Sequence, residues 1–161
     1  MVKNKKIAHS EIIASYMKYV LENESSPKSV YAFAKASNFE ESLFYNYFGS
    51  FESLERAIFK TFFNNAMLAL ENSEEYPAFD ARNKLLSFYF TFFENLSANR
   101  SYVLIALNEN KSHLNKLKKL TELKKSFTQY INGLEIETID FKQKNITQFQ
   151  QKSIQESAWV Q

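Results

Sequence analysis

The side chains in this sequence that could do chemistry are few and poorly spaced for it. His9 and His113 stand far apart, with no companion ligand at the spacing a metal site requires. The chain has no cysteine, which removes thiolate nucleophiles, thiolate metal ligands and a disulfide framework. Its 2 glycines form no phosphate-cradling loop, and no serine sits in a nucleophile elbow. These features point away from an enzyme, a metal site and a bound cofactor. What remains is recognition, concentrated in "SNFEESLFYNYFGSFESL", residues 37–54. That stretch reads as a short helix between two turns, with Phe44, Tyr45 and Phe48 on an aromatic seam. It opens, however, on two carboxylates, Glu40 and Glu41.

The elements that must position this stretch are helical. A chain of 161 residues is one domain, or a small domain fused to a larger one. With 45% hydrophobic residues, including 16 Phe and 9 Tyr, it can bury a sizeable core. Only 2 Gly and 2 Pro interrupt it, which favours long helices and predicts an all-α fold. The N-terminus lacks an apolar leader, and no stretch approaches the ~20 apolar residues of a membrane span. A cytoplasmic protein with no membrane partner is the expectation. Net charge is +2, unevenly distributed. Residues 1–60 hold 8 basic side chains against 7 acidic, residues 61–99 hold 2 against 5, and residues 100–161 hold 10 against 6. The first third therefore carries a thin basic footprint for a nucleic-acid binder.

Apolar periodicity predicts a helix over residues 5–23 through Ile12, Ile13, Tyr16, Met17, Val20 and Leu21. A second, over 29–37, ends at Asn38, the best non-glycine residue for a left-handed position. A third spans 40–48 and stops at Gly49. Ser50 then caps a fourth over 51–71, with Ser53 where a capping box has Glu. "NSEEYPAF" is the clearest boundary. Beyond it, Asp80 caps a helix reaching about residue 96, apolar on nearly every side and so expected at the centre of the fold. Residues 100–110 form a short apolar helix. Residues 112–132 form another, with Leu114, Leu117, Leu120, Leu123, Phe127, Tyr130 and Ile131 inward. Its Lys116, Lys118, Lys119, Lys124 and Lys125 would form a solvated face. The tail is amphipathic through Ile146, Phe149, Ile154, Ala158 and Trp159, and reads as a helix cut short or completed against a partner.

Two short helices joined by a tight turn and followed by a long helix suggest a helix-turn-helix. Here "SVYAFAKASNFEESLFYNYFGSFESLERAIF" resembles the N-terminal domain of TetR-family transcriptional repressors. Phe33-Ala34 stands for the family's Ile-Ala, and Asn38-Phe39 for the Gly-Val of its turn. Phe44-Tyr45-Asn46-Tyr47-Phe48 stands for the Leu-Tyr-x-x-Phe of the recognition helix, and Ser50-Phe51-Glu52-Ser53-Leu54 for the Ser-Lys-Glu-x-Leu opening of the fourth helix.

The resemblance implies a helix-turn-helix domain over 1–50 and a larger ligand-binding and dimerisation domain over 51–161, connected by helix 51–71. It implies a homodimeric, ligand-responsive repressor on a palindromic operator. The DNA contacts would be Lys28, Ser29, Tyr45, Asn46 and Tyr47, with an arm of Lys3, Lys5 and Lys6. Tyr45 matches the family's phosphate-contacting tyrosine, although Tyr45 and Tyr47 also fit amphipathic core positions. An apolar effector would meet Phe88, Tyr89, Phe92, Tyr102, Phe127 and Tyr130, residues that also suit plain core packing.

Three departures bear on function. Phe51 replaces a phosphate-contacting Lys, Glu40 replaces a capping Ser or Thr, and Glu41 takes a position that often faces DNA. Binding depends on neutralising phosphates. The alternative is a TetR-fold protein without DNA binding that takes up an apolar small molecule, a lipid or a protein partner.

Overall fold

The computed structural model describes residues 8–108, 113–134 and 144–160, and the side chains of 113, 144–150 and 160 lie outside it. The lysine arm, Ile146, Phe149 and the chain's last residue therefore lie outside the described residues. Among the described residues there are nine α-helices and no strand. They are α1 (His9–Asn23), α2 (Val30–Ala36), α3 (Glu41–Tyr45), α4 (Phe51–Glu71), α5 (Ala81–Ala98), α6 (Arg100–Asn108), α7 (His113–Lys119), α8 (Thr121–Gly133) and α9 (Lys144–Val160). A 3-10 turn, Tyr76–Ala78, interrupts the boundary segment. The chain divides into two compact units. One combines Met1–Phe59 with Leu96–Leu120; the other combines Lys60–Asn95 with Thr121–Gln161.

The first unit is built around Phe33. Its ring lies edge-on to those of Tyr16, Tyr19, Phe39, Phe44 and Phe51 at centroid distances of 5.6, 6.2, 5.3, 6.3 and 5.9 Å. Edge-to-face packing places ring hydrogens against π faces, which adds to the burial of area. Ile12, Ile13 and Val20 of α1, Leu54, Ile58 and Phe59 of α4, and Tyr102 and Ala106 of α6 complete the core.

The turn between α2 and α3 is a full Schellman motif. Asn38 is left-handed at φ 58°. The Phe39 N–H donates to Ala34 O at 3.0 Å, and the Asn38 N–H donates to Lys35 O at 3.3 Å. The hydrophobic contact that accompanies such a turn is the Phe33–Phe39 ring pair. At the other end of α2, Ser29 Oγ accepts the Ala32 N–H at 3.1 Å. Before α4, Ser53 completes the box that a Glu would otherwise close. Its Oγ accepts the Ser50 N–H at 3.2 Å, while Ser50 Oγ accepts the Ser53 N–H at 3.2 Å.

Several expectations are corrected. The first helix starts at His9, after the extended Ala8, whose N–H is taken by Glu11 at 2.7 Å. The third is regular only over Glu41–Tyr45, because turn bonds from Tyr47 and Phe48 to Phe44 O carry the chain out of it. The helix expected over 112–132 is two, broken at Leu120. Thr121 followed by Glu122 restarts it with a favourable first turn. Helix α5 is not wrapped in core: Phe88 is buried, but Leu86, Phe90 and Phe93 are 54, 76 and 50% exposed. They recur at spacings of four and three, so one stripe of the helix faces outward.

In the second unit, Phe88 packs against Phe63, Phe92, Phe127 and Tyr130 at 5.2, 5.4, 5.5 and 4.9 Å. Phe62, Ala66 and Leu70 of α4 and Leu123 and Ile131 of α8 are also buried in this unit. No described helix is long and apolar enough to cross a membrane.

Because Phe33 is fully buried while Tyr31 of the same helix is 61% exposed, Phe33→Ala should cost about 3–5 kcal/mol of unfolding free energy. Tyr31→Ala should cost under about 0.5 kcal/mol. Urea unfolding followed by circular dichroism measures both.

Candidate functional site

Capping and packing place the expected DNA contacts at the surface. Lys28 and Ser29 are exposed at the entry to α2, with the Ser29 hydroxyl already engaged as the N-cap. Phe44 and Phe48 point inward and are buried, which turns the residues between them outward. Tyr45 is 54% exposed and Tyr47 41%, and Asn46 is exposed. Tyr45 therefore leaves the aromatic seam and presents its hydroxyl, touching Phe44 only by its ring edge at 5.4 Å. His9 lies against Tyr47 and Phe48 at 5.8 and 4.8 Å, so the start of α1 buttresses the end of this segment. Sequence reasoning omitted Tyr31, which adds another exposed phenol on α2.

Glu40 is exposed and makes no side-chain cap; Glu41 is half-buried in the first turn of α3. Phe51 is half-buried, with ring contacts to Tyr16 at 5.4 Å and to Phe44 at 5.5 Å. Losing the family's lysine here is thus a repacking of the aromatic core, not the creation of an exposed apolar spot.

The same unit holds a polar cluster that sequence reasoning missed. The Tyr16 hydroxyl donates to Glu55 Oε1 at 2.8 Å. Ser26 Oγ lies 3.3 Å from the Tyr16 oxygen and donates to the same carboxylate oxygen at 3.5 Å. Lys119 Nζ stands 3.3 Å from Glu55 Oε2 and donates to Ala106 O at 2.9 Å. Glu55 and Lys119 are 4 and 6% exposed. Lys119 is therefore no part of a solvated face, because its charge is needed where Glu55 is buried. A signal was present for Glu55: it precedes Ile58 by three residues and Phe59 by four, which sets it on the apolar stripe of α4. Nothing local marks Lys119.

Of the residues proposed to meet an effector, Phe88, Tyr89, Phe92, Phe127 and Tyr130 come together in the second unit. Tyr102 belongs to the first unit, where it is buried on α6. The Tyr89 hydroxyl donates to Ala158 O at 2.9 Å, and Trp159 lies 6.2 Å from Phe127, so α9 packs on the same cluster. Tyr130 donates to Lys84 O at 3.0 Å and sits 2.8 Å from the Tyr76 oxygen. Having given its proton to Lys84, Tyr130 accepts from Tyr76. Gln155 and Asn132 also bond through their side-chain amides, and Lys124 pairs with Glu156 at 3.0 Å. Among the described residues no His, Cys, Asp and Glu cluster suits a metal ion.

Burial pushes the phenols of Tyr16, Tyr89 and Tyr130 above the ordinary tyrosine range. The Glu55 carboxylate adds to the shift at Tyr16, and the Tyr76 hydrogen bond to that at Tyr130. In the unfolded chain these groups ionise near pH ~10. A raised folded value means their contribution is whole below that pH and is lost as pH rises above it. Urea midpoints should therefore fall between about pH 9 and about pH 11, and Tyr16→Phe and Tyr130→Phe should each flatten the fall. Phe51→Lys, which restores the family residue, should destabilise the chain by about 2 kcal/mol or more, read by the same unfolding curve.

Residues 84–161 match the family described as Tetracyclin repressor-like, C-terminal domain. No curated protein and no solved structure matches the chain. That match falls on the half of the chain in which the N-terminal motif has no part, and the fold is helical among all described residues. Motif, fold and family match agree in supporting membership of the TetR family.

Proposed function

We propose that this protein is a ligand-responsive DNA-binding regulator that works in the cytoplasm as a homodimeric repressor on a palindromic operator. Residues 1–50 would read DNA, and residues 51–161 would bind ligand and dimerise. The observation that carries this reading is the outward presentation of Tyr45, Asn46 and Tyr47 from a segment anchored by buried Phe44 and Phe48. Two phenols and an amide supply donors and acceptors for phosphates and base edges, and Lys28 adds an exposed ammonium beside α2.

The effector would be small and apolar, taken up among Phe88, Tyr89, Phe92, Phe127 and Tyr130. Its binding energy would shift the population between two dimer geometries, only one of which spans the operator half-sites. Tyr102, buried with the α1 and α6 packing, would serve the DNA-reading unit rather than the effector.

The exposed Glu40 favours a second reading, a TetR-fold protein that binds an apolar molecule without binding DNA. A carboxylate at the start of α3 repels phosphates at the point of closest approach. Phe51 no longer supports a protein-docking version, since its ring is taken up by Tyr16, Phe33 and Phe44.

Binding of the purified chain to a pool of fragmented, fluorescent DNA across a salt series decides between these readings. The regulator should enrich a palindrome, with affinity falling steeply as salt rises. Glu40→Gln with Glu41→Gln should tighten binding by about tenfold, and Tyr45→Ala should weaken it by about tenfold or more. Absence of binding at low salt from folded, dimeric protein would establish the second reading instead.

A further inference from the structure

Helix α7 is held in its unit in an unusual way. Leu114 and Leu117 are 71 and 54% exposed, Asn115 and Lys118 are exposed, and Lys116 is half-buried. Among the described side chains of α7, Lys119 alone is buried, and its ammonium lies between Glu55 Oε2 and Ala106 O. A seven-residue helix with so little apolar anchorage belongs to the low-stability end of a structure, where local opening occurs. A buried ion pair adds little to folding relative to both charges in water, although removing one partner alone is costly. Opening this pair to solvent, so that both charges hydrate together, avoids that cost.

We propose that Lys119 is the tether of α7 and that the Tyr16–Glu55–Lys119 cluster is a latch with two discrete states, sealed and solvated. The carboxylate makes the states discrete. In the sealed state Glu55 holds Lys119 through one oxygen and Tyr16 through the other. Once the ammonium leaves, the carboxylate is uncompensated and water must enter, which loosens Tyr16 of α1 as well. Tyr16 is packed edge-on to Phe33, the centre of the unit that carries α2 and α3. The detachment of α7 is therefore transmitted to the helix-turn-helix through Tyr16, with Ser26 on the same carboxylate oxygen. The functional consequence, loss of operator geometry when the latch opens, rests on the DNA-binding reading; the latch itself does not.

The test is amine acetylation of the purified full chain with an N-hydroxysuccinimide acetate along a urea series. Labelling at Lys119 is read by peptide mass spectrometry, with exposed Lys125 as the reference. Without urea, Lys119 should react at least about tenfold more slowly than Lys125. It should become reactive well below the unfolding midpoint seen by circular dichroism, together with faster amide exchange in α1. Tyr16→Phe removes one hydrogen bond to the carboxylate. It should raise Lys119 reactivity about tenfold without changing helix content. Reactivity equal to that of Lys125 in the absence of urea would overturn the sealed state. Reactivity that appears only with global unfolding, in the parent and Tyr16→Phe alike, would make the cluster static core and overturn the latch. Labelling that follows the expected course in a protein that binds no DNA would keep the latch and remove only its operator consequence.

Discussion

A carboxylate buried on the apolar side of a helix needs partners that bring it charge and hydrogen bonds, and Glu55 imposes that requirement on the first unit. One oxygen is met by Tyr16 and Ser26, the other by Lys119, so α1, the α1–α2 connection and α7 are all drawn to one residue of α4. Lys119 in turn needs the carbonyl of Ala106, which brings in α6. The buried pair does not have to be a large source of stability to have this effect. Other packings of the same apolar surfaces would strand a charge, which costs far more than a poorly fitted methyl group.

Around that polar centre the unit is held by rings. Phe33 gathers aromatic edges from α1, α3, α4 and the turn, and the Schellman motif at Asn38 sets the angle at which α3 leaves α2. This explains how a helix of only five residues holds its place: its geometry is set by the turn before it and by Phe44 and Phe48 beneath it. Where the family has a phosphate-binding lysine at the start of α4, this chain has a fourth-helix phenylalanine that adds to the same ring cluster. The exchange moves a residue from recognition to stability.

In the second unit, aromatic packing and hydrogen bonding are combined in the same side chains. Tyr89 and Tyr130 place their rings in the stack around Phe88 while their hydroxyls satisfy backbone carbonyls of α9 and α5. Such phenols fix orientation as well as filling space, since a rotated ring would strand a buried hydroxyl. The outward stripe of Leu86, Phe90 and Phe93 shows that a helix dense in apolar residues need not be surrounded on all sides.

The helices and most of their ends were legible because they rest on interactions within about five residues: the left-handed Asn38, the caps at Ser50 and Asp80, and the apolar stripe of α1. The family motif was legible for the same reason, since turn chemistry and ring spacing are local. The outward direction of Tyr45 was not, because it depends on which neighbouring rings claim the inside. The break at Leu120 and the burial of Lys119 were hidden more completely. A lysine in a run of lysines carries no sign of a carboxylate 64 positions earlier in the chain, and Glu55 hints only at its own burial, not at its partner. The sequence by itself thus determined most of the helices, several of their caps and the family resemblance. Tertiary structure decided which charges and rings face inward, because desolvation depends on neighbours that are distant along the chain.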